Sequence, residues 1–94
     1  MEKRKLTRES QAGTEEREDC IVKLFPAEPG TGIKIEIEGK SKDVFRDDVF
    51  KIFEDTLKGM GINDAKVWSS GKSPLNFTIV ARIKAAVIKG GAYE

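Results

Sequence analysis

Chemistry at a protein site needs particular residue types within reach of one another, and this chain offers few of them. It has no histidine and one cysteine, Cys20. Without imidazole the commonest general base and metal ligand is missing. A single thiol cannot complete a zinc site, nor a Cys-His or Ser-His nucleophile pair. Carboxylates are plentiful, but most sit where solvation accounts for them, so an independent enzyme is not expected. Gly71-Lys72-Ser73 matches the end of a phosphate-binding P-loop, yet the upstream glycine of that motif would fall on Lys66. Trp68, beside Lys66, Lys72 and Arg82, could stack on a nucleotide base, although a lone Trp in a small sheet more often faces the core or a partner. Cys20 follows a run of acidic residues that disfavours the thiolate, so a small buried hydrophobe is expected there.

The elements that would position these residues follow from periodicity. Between Ser41 and Gly61, Phe45, Val49, Ile52, Phe53, Thr56, Leu57 and Met60 fall on one helical arc, with Phe50 at its edge. Asp47, Asp48, Lys51, Glu54, Asp55 and Lys58 take the opposite arc. Ser41 is the expected N-cap, Asp43 puts charge in the first turn, and Gly59 and Gly61 bracket the end. Ahead of this helix, CIVKLF from Cys20 sends Cys20, Val22 and Leu24 to one face, and Ile33, Ile35 and Ile37 alternate with Lys34, Glu36 and Glu38. The loop at Pro29 to Gly32 makes an antiparallel hairpin of these two the expected pairing. Beyond the helix, Ala65 to Ser69 reads as a short strand, and Leu75, Phe77, Ile79, Ala81 and Ile83 alternate as a further one. From about Arg82 a short helix is predicted, closed by Gly90-Gly91.

The expected class is therefore α+β: an antiparallel four-stranded sheet in β-β-α-β-β-α order, one long helix on one face, and a mobile N-terminal tail. Residues 1–18 carry five basic and five acidic side chains and only Leu6 as a large apolar group. Such a segment reads as a flexible charged tail on a single domain spanning 19–94. The near-balanced charge, net +1, gives no basic field for nucleic acid. No apolar run is long enough to cross a bilayer, and one cysteine fits a reducing compartment, so a cytoplasmic protein with neither nucleic-acid nor membrane partners is expected.

The junction before the first predicted strand carries a resemblance. Ala12-Gly13-Thr14-Glu15-Glu16-Arg17-Glu18-Asp19 resembles the AGTxES(G/S)D segment of the citrate lyase acyl carrier protein (gamma subunit) family. Phe45, Asp47, Val49, Phe53, Asp55 and Leu57 are similar to its helix pattern, F-x-D-x-I followed by I-x-D-x-L. Leu75, Ile79, Ala81-Arg82 and Ala85 are similar to its closing L-(D/N)-x-x-(I/L)-x-A-R-x-x-A. The related malonate decarboxylase carrier subunit shares the general plan.

The resemblance implies a subunit that swings thioesters between acyltransferase and lyase subunits, on a phosphoribosyl-dephospho-coenzyme A arm joined to a serine by a phosphodiester. The attachment serine's position is Arg17 here. A guanidinium has no hydroxyl and stays charged at every working pH, so it cannot form that link. Ser10 and Thr14 are the alternative hydroxyls. The expectation is a non-catalytic, carrier-like scaffold or regulatory subunit of a citrate lyase-like complex with no cofactor. Its alternatives are a working carrier with the arm on another hydroxyl, or an unrelated small α+β binding module. Arg17 could also pair with a carboxylate or phosphate on a partner.

Overall fold

The computed structural model describes residues 3–39, 46–71 and 74–94. Four strands and two helices follow one another as β1 (Ser10–Gly13), β2 (Cys20–Pro26), β3 (Ile33–Gly39), α1 (Arg46–Gly59), β4 (Ala65–Gly71) and α2 (Asn76–Lys89). The sheet order is β1-β2-β4-β3. β2 runs antiparallel to both β1 and β4, whereas β3 runs parallel to β4. The sheet is therefore mixed, and the predicted β2–β3 hairpin does not form. The physical reason lies in the connections. α1 carries the chain from the end of β3 back to the start of β4, which is what parallel pairing requires. Loop 27–32 is long enough to step over β4, and the Asp64 carboxylate pins it there by accepting the N–H groups of Gly30 and Gly32, both at 2.9 Å.

Alternation decides the sheet faces as the sequence implies. Cys20, Val22, Leu24, Ala65, Val67 and Ser69 are buried against the helices, while Lys23, Phe25, Lys34, Glu36, Lys66 and Trp68 take the other face. α1 buries Phe53 and Leu57, with Val49, Ile52, Thr56 and Met60 half-buried and Asp48, Lys51, Glu54, Asp55 and Lys58 exposed. It ends in a Schellman motif: Ile62 N–H donates to Leu57 O at 2.9 Å, Gly61 N–H donates to Lys58 O at 3.0 Å, and Gly61 takes φ 86°. The expected cap at Ser41, with Asp43 and Phe45, lies outside the described residues.

Two expectations are corrected. The segment predicted as a strand from Leu75 to Ile83 is most of α2. Its buried residues, Ile79, Ile83, Ala86 and Val87, keep a helical period, and Phe77 is 72% exposed, which a core-facing strand would not allow. Two helices, not one, thus cover the sheet, with α2 over β1 and β2 and α1 beside it towards β3. The fourth strand comes instead from the segment read as a mobile tail. β1 pairs with β2, Leu6 is buried, Arg4 N–H donates to Gly61 O, and Thr7 N–H donates to Gly90 O, both at 2.8 Å. The one large apolar residue of that segment anchors it. Arg8 pairs with Glu94, and the Arg4 guanidinium lies 4.0 Å from the Tyr93 ring centroid. No described helix is long and apolar enough to cross a membrane.

Candidate functional site

The residues singled out at the junction lie on the turn between β1 and β2. Gly13 closes β1 at φ 97°, and a Cβ there would lie 1.8 Å from the carbonyl oxygen of Cys20. Only glycine lets the two strands approach that closely. From Gly13 the chain swings out through Thr14 to Glu18, all exposed, and returns at Asp19. Asp19 N–H donates to Glu16 O at 3.1 Å, and Glu18 takes the left-handed φ of 63°.

The Asp19 carboxylate organises the turn. One oxygen accepts Cys20 N–H at 2.7 Å and Arg82 Nε at 2.9 Å. The other accepts the Thr14 hydroxyl at 2.8 Å and Arg82 Nη2 at 2.8 Å. The Thr14 hydroxyl in turn accepts Glu16 N–H at 3.2 Å. The bidentate Arg82 fork, helped by Thr14 and Cys20 N–H, lowers the Asp19 pKa to about 2 against the cost of burial. At neutral pH Asp19 is a fixed anion and a weak base.

The two hydroxyls named by the sequence have different surroundings. Thr14 is exposed on the turn, three positions before Arg17, which is exposed as well. Ser10 is half-buried on β1 and donates to Ala86 O of α2 at 2.6 Å, a tie between strand and helix. The turn therefore brings Arg17 and Thr14 to one surface and leaves Ser10 underneath. Cys20 is buried, and burial first, then the neighbouring Asp19, pushes its pKa up to about 11. It is the inert small hydrophobe expected of it.

The nucleotide-stacking constellation is not assembled. Trp68 and Lys66 lie on the open sheet face, Arg82 is committed to Asp19 on α2, and Lys72 is outside the described residues. The P-loop spacing fails too, because Lys66 sits inside β4. The pairing that sequence reasoning missed is Asp19 with Arg82, 63 positions apart. Asp19 stood out only as a position shared with a family segment and Arg82 as that and as a cation near Trp68, and nothing in local spacing shows that the two meet.

Beside the turn, a cavity of about 530 Å³ opens between the end of β4 and the start of α2. Val49, Phe53, Leu75, Phe77 and Ile79 give it a mainly apolar lining.

These features make a small α+β unit whose most exposed described turn is pinned at its root by one ion pair. The chain matches the family described as "ACP: Malonate decarboxylase delta subunit (MdcD)" over residues 7–89. It is 38% identical to the citrate lyase acyl carrier protein of Clostridium perfringens over 78 residues, covering 83% of this chain and 76% of that one. It is 36% identical to the citrate lyase acyl carrier protein of Fusobacterium nucleatum subsp. nucleatum, covering 83% and 82%. In fold it is similar to a chain of a Pseudomonas malonate decarboxylase hetero-tetramer in complex with malonate, with TM-score 0.73 and 14% identity, over 94% of this chain and 89% of that one. The chain belongs to the acyl carrier family of citrate lyase and malonate decarboxylase. An unrelated binding module is thereby excluded. The expectation of no cofactor is overturned as well: relatives matched along most of the chain are carriers by name, so the residue at position 17 is no ground for excluding a prosthetic group.

Proposed function

We propose that this chain is a non-catalytic acyl carrier subunit of a citrate lyase- or malonate decarboxylase-type complex, and that it works through the turn of residues 14–19. The observation that carries the reading is the Asp19 anchor. It fixes both ends of a loop whose outer residues are all exposed, on the very segment that resembles the carriers' attachment sequence. A carrier needs a firm root and an accessible tip, and its partners, the lyase and acyltransferase subunits, supply the catalytic groups.

Arg17 offers no oxygen for a phosphodiester. Of the two hydroxyls the sequence names, Ser10 is held under α2 and Thr14 is exposed. Thr14 is accordingly the hydroxyl we assign to a phosphoribosyl-dephospho-coenzyme A arm. Linking its oxygen removes one bond to Asp19, and the Arg82 fork keeps that carboxylate satisfied. Because Asp19 is a weak base, the modifying enzyme must bring the group that takes the threonine proton.

Intact mass of protein purified from its native host, followed by fragment-ion localisation, tests this. An added arm on Thr14, abolished by Thr14→Val, is the expected result. A bare chain within an assembled lyase or decarboxylase complex would refute the attachment and make this a scaffold or regulatory subunit, with Arg17 available to a partner's carboxylate or phosphate.

A further inference from the structure

The phosphate of an arm on Thr14 has its place set by a covalent bond rather than by the local field, and the turn decides which side chains it meets. Thr14 Oγ1 donates to Asp19 Oδ2, and Arg82 Nη2 donates to that same oxygen, each at 2.8 Å. The Arg82 guanidinium therefore lies beside the Thr14 hydroxyl. Of the five N–H groups of a guanidinium, Arg82 uses two on Asp19. The others meet no acceptor among the described residues, and the side chain is 39% exposed. The second cation is Arg17, three positions after Thr14. The turn between them is drawn in by Glu16 N–H on Thr14 Oγ1 at 3.2 Å and by Asp19 N–H on Glu16 O at 3.1 Å. Arg17 is exposed and forms no ion pair among the described residues.

The surrounding charge is otherwise hostile to a phosphate. Glu15, Glu16 and Glu18 are all exposed on the turn, and Asp19, with its pKa at about 2, is an anion at neutral pH. A phosphodiester on Thr14 adds a negative charge next to that carboxylate and removes the hydroxyl proton that now joins the two. Anions that close repel unless a cation stands between them.

We infer that Arg82 and Arg17 form a clamp for the phosphodiester at the base of the arm, Arg82 bridging it to Asp19 and Arg17 neutralising it from the turn itself. The inference rests on the assignment of the arm to Thr14. A guanidinium suits the task, because its planar fork takes phosphate oxygens in pairs and its separate edges can serve two anions at once. Position 17 thereby gains a use: its side chain has no oxygen for the bond but offers a cation to the group the bond brings. Both arginines are positioning residues. They tie the base of the arm to the turn and to α2, and they take no part in acyl transfer.

The test compares the bare chain, expressed without a modifying enzyme, with the arm-bearing chain from the native host. Fragment-ion mass spectrometry first locates the arm. Both forms are then treated with a limiting arginine-specific dicarbonyl reagent and read by peptide mass. Arg17 is expected to react at least threefold more slowly when the arm is present, while Arg8, paired with Glu94 away from the turn, keeps its rate. Melting temperatures of the two forms close a thermodynamic cycle that separates attraction from simple shielding. Attachment should leave the parent's melting temperature unchanged or raise it, and should lower that of Arg17→Gln, the two responses differing by roughly 1–8 °C. Arg17→Lys, which keeps the charge and loses the fork, should fall between them. Equal responses in the parent and Arg17→Gln, or an Arg17 equally reactive in both forms, overturn the clamp and leave the attachment to Thr14 standing. An arm found on another residue, or none at all, overturns the attachment and the clamp with it.

Discussion

Replacing Arg82 with methionine removes the guanidinium while keeping a long apolar stem, and it isolates what the Asp19 anchor contributes. Two charge-assisted bonds, at 2.9 and 2.8 Å, disappear, and the Asp19 side chain, only 13% exposed, keeps Thr14 and Cys20 N–H as partners. Loss of such bonds to a largely buried carboxylate costs about 1.5–3 kcal/mol. For a domain of this size that corresponds to a fall in melting temperature of roughly 6–24 °C. The pH dependence gives an independent signature. Folding lowers the Asp19 pKa from 3.8 to about 2. Its contribution to stability is therefore present above pH 4 and drains away as pH falls through about 2. Solvent around the guanidinium, 39% exposed, limits that contribution to about 2 kcal/mol at most. In Arg82→Met the anion loses its strongest support, so Asp19 should titrate higher than in the parent, with burial now opposed only by Thr14 and Cys20 N–H. Thermal melts from pH 2 to 7, with carboxyl carbon NMR shifts of Asp19, measure both effects. A melting temperature within 2 °C of the parent, or an unchanged Asp19 titration, would refute the anchor argument.

Three further outcomes are expected. Gly13→Ala sets a methyl against the Cys20 carbonyl at a φ that L-residues avoid, so it should cost about 3 kcal/mol or more, seen in denaturant titration as a large drop in midpoint. Glu18→Gly removes a left-handed non-glycine residue, and after the entropy that glycine adds to the unfolded chain it should stabilise by about 0.5–1 kcal/mol, read as a higher melting temperature. Cys20, buried with its pKa near 11, should resist a thiol reagent at pH 8 in the native state and react at once in denaturant.

Local pattern alone determined β2, β3, β4 and α1, because each shows its burial period within its own residues. Cys20, Val22 and Leu24 alternate, and Phe53 with Leu57 sits at helical spacing. The family resemblance was legible as well, in short segments whose order matches along the chain. Elsewhere the local signal is degenerate. Leu75, Ile79 and Ile83 are four apart, a spacing that satisfies the strand period and the helix period alike. What breaks the tie is which neighbours are covered: Ala86 and Val87 complete a buried helical stripe over β1 and β2, while Phe77 faces outwards. β1 had no signal of its own, since SQAG is a strand only because the edge of β2 is there to pair with it. The insertion of β4 between β2 and β3, and the meeting of Asp19 with Arg82 from 63 positions away, are likewise long-range events. Sequence named Thr14 and Arg17 as the residues that matter at the junction. Only the folded chain decided that they share a pinned, exposed turn, because a carboxylate finds its guanidinium partner through the packing of a helix on a sheet.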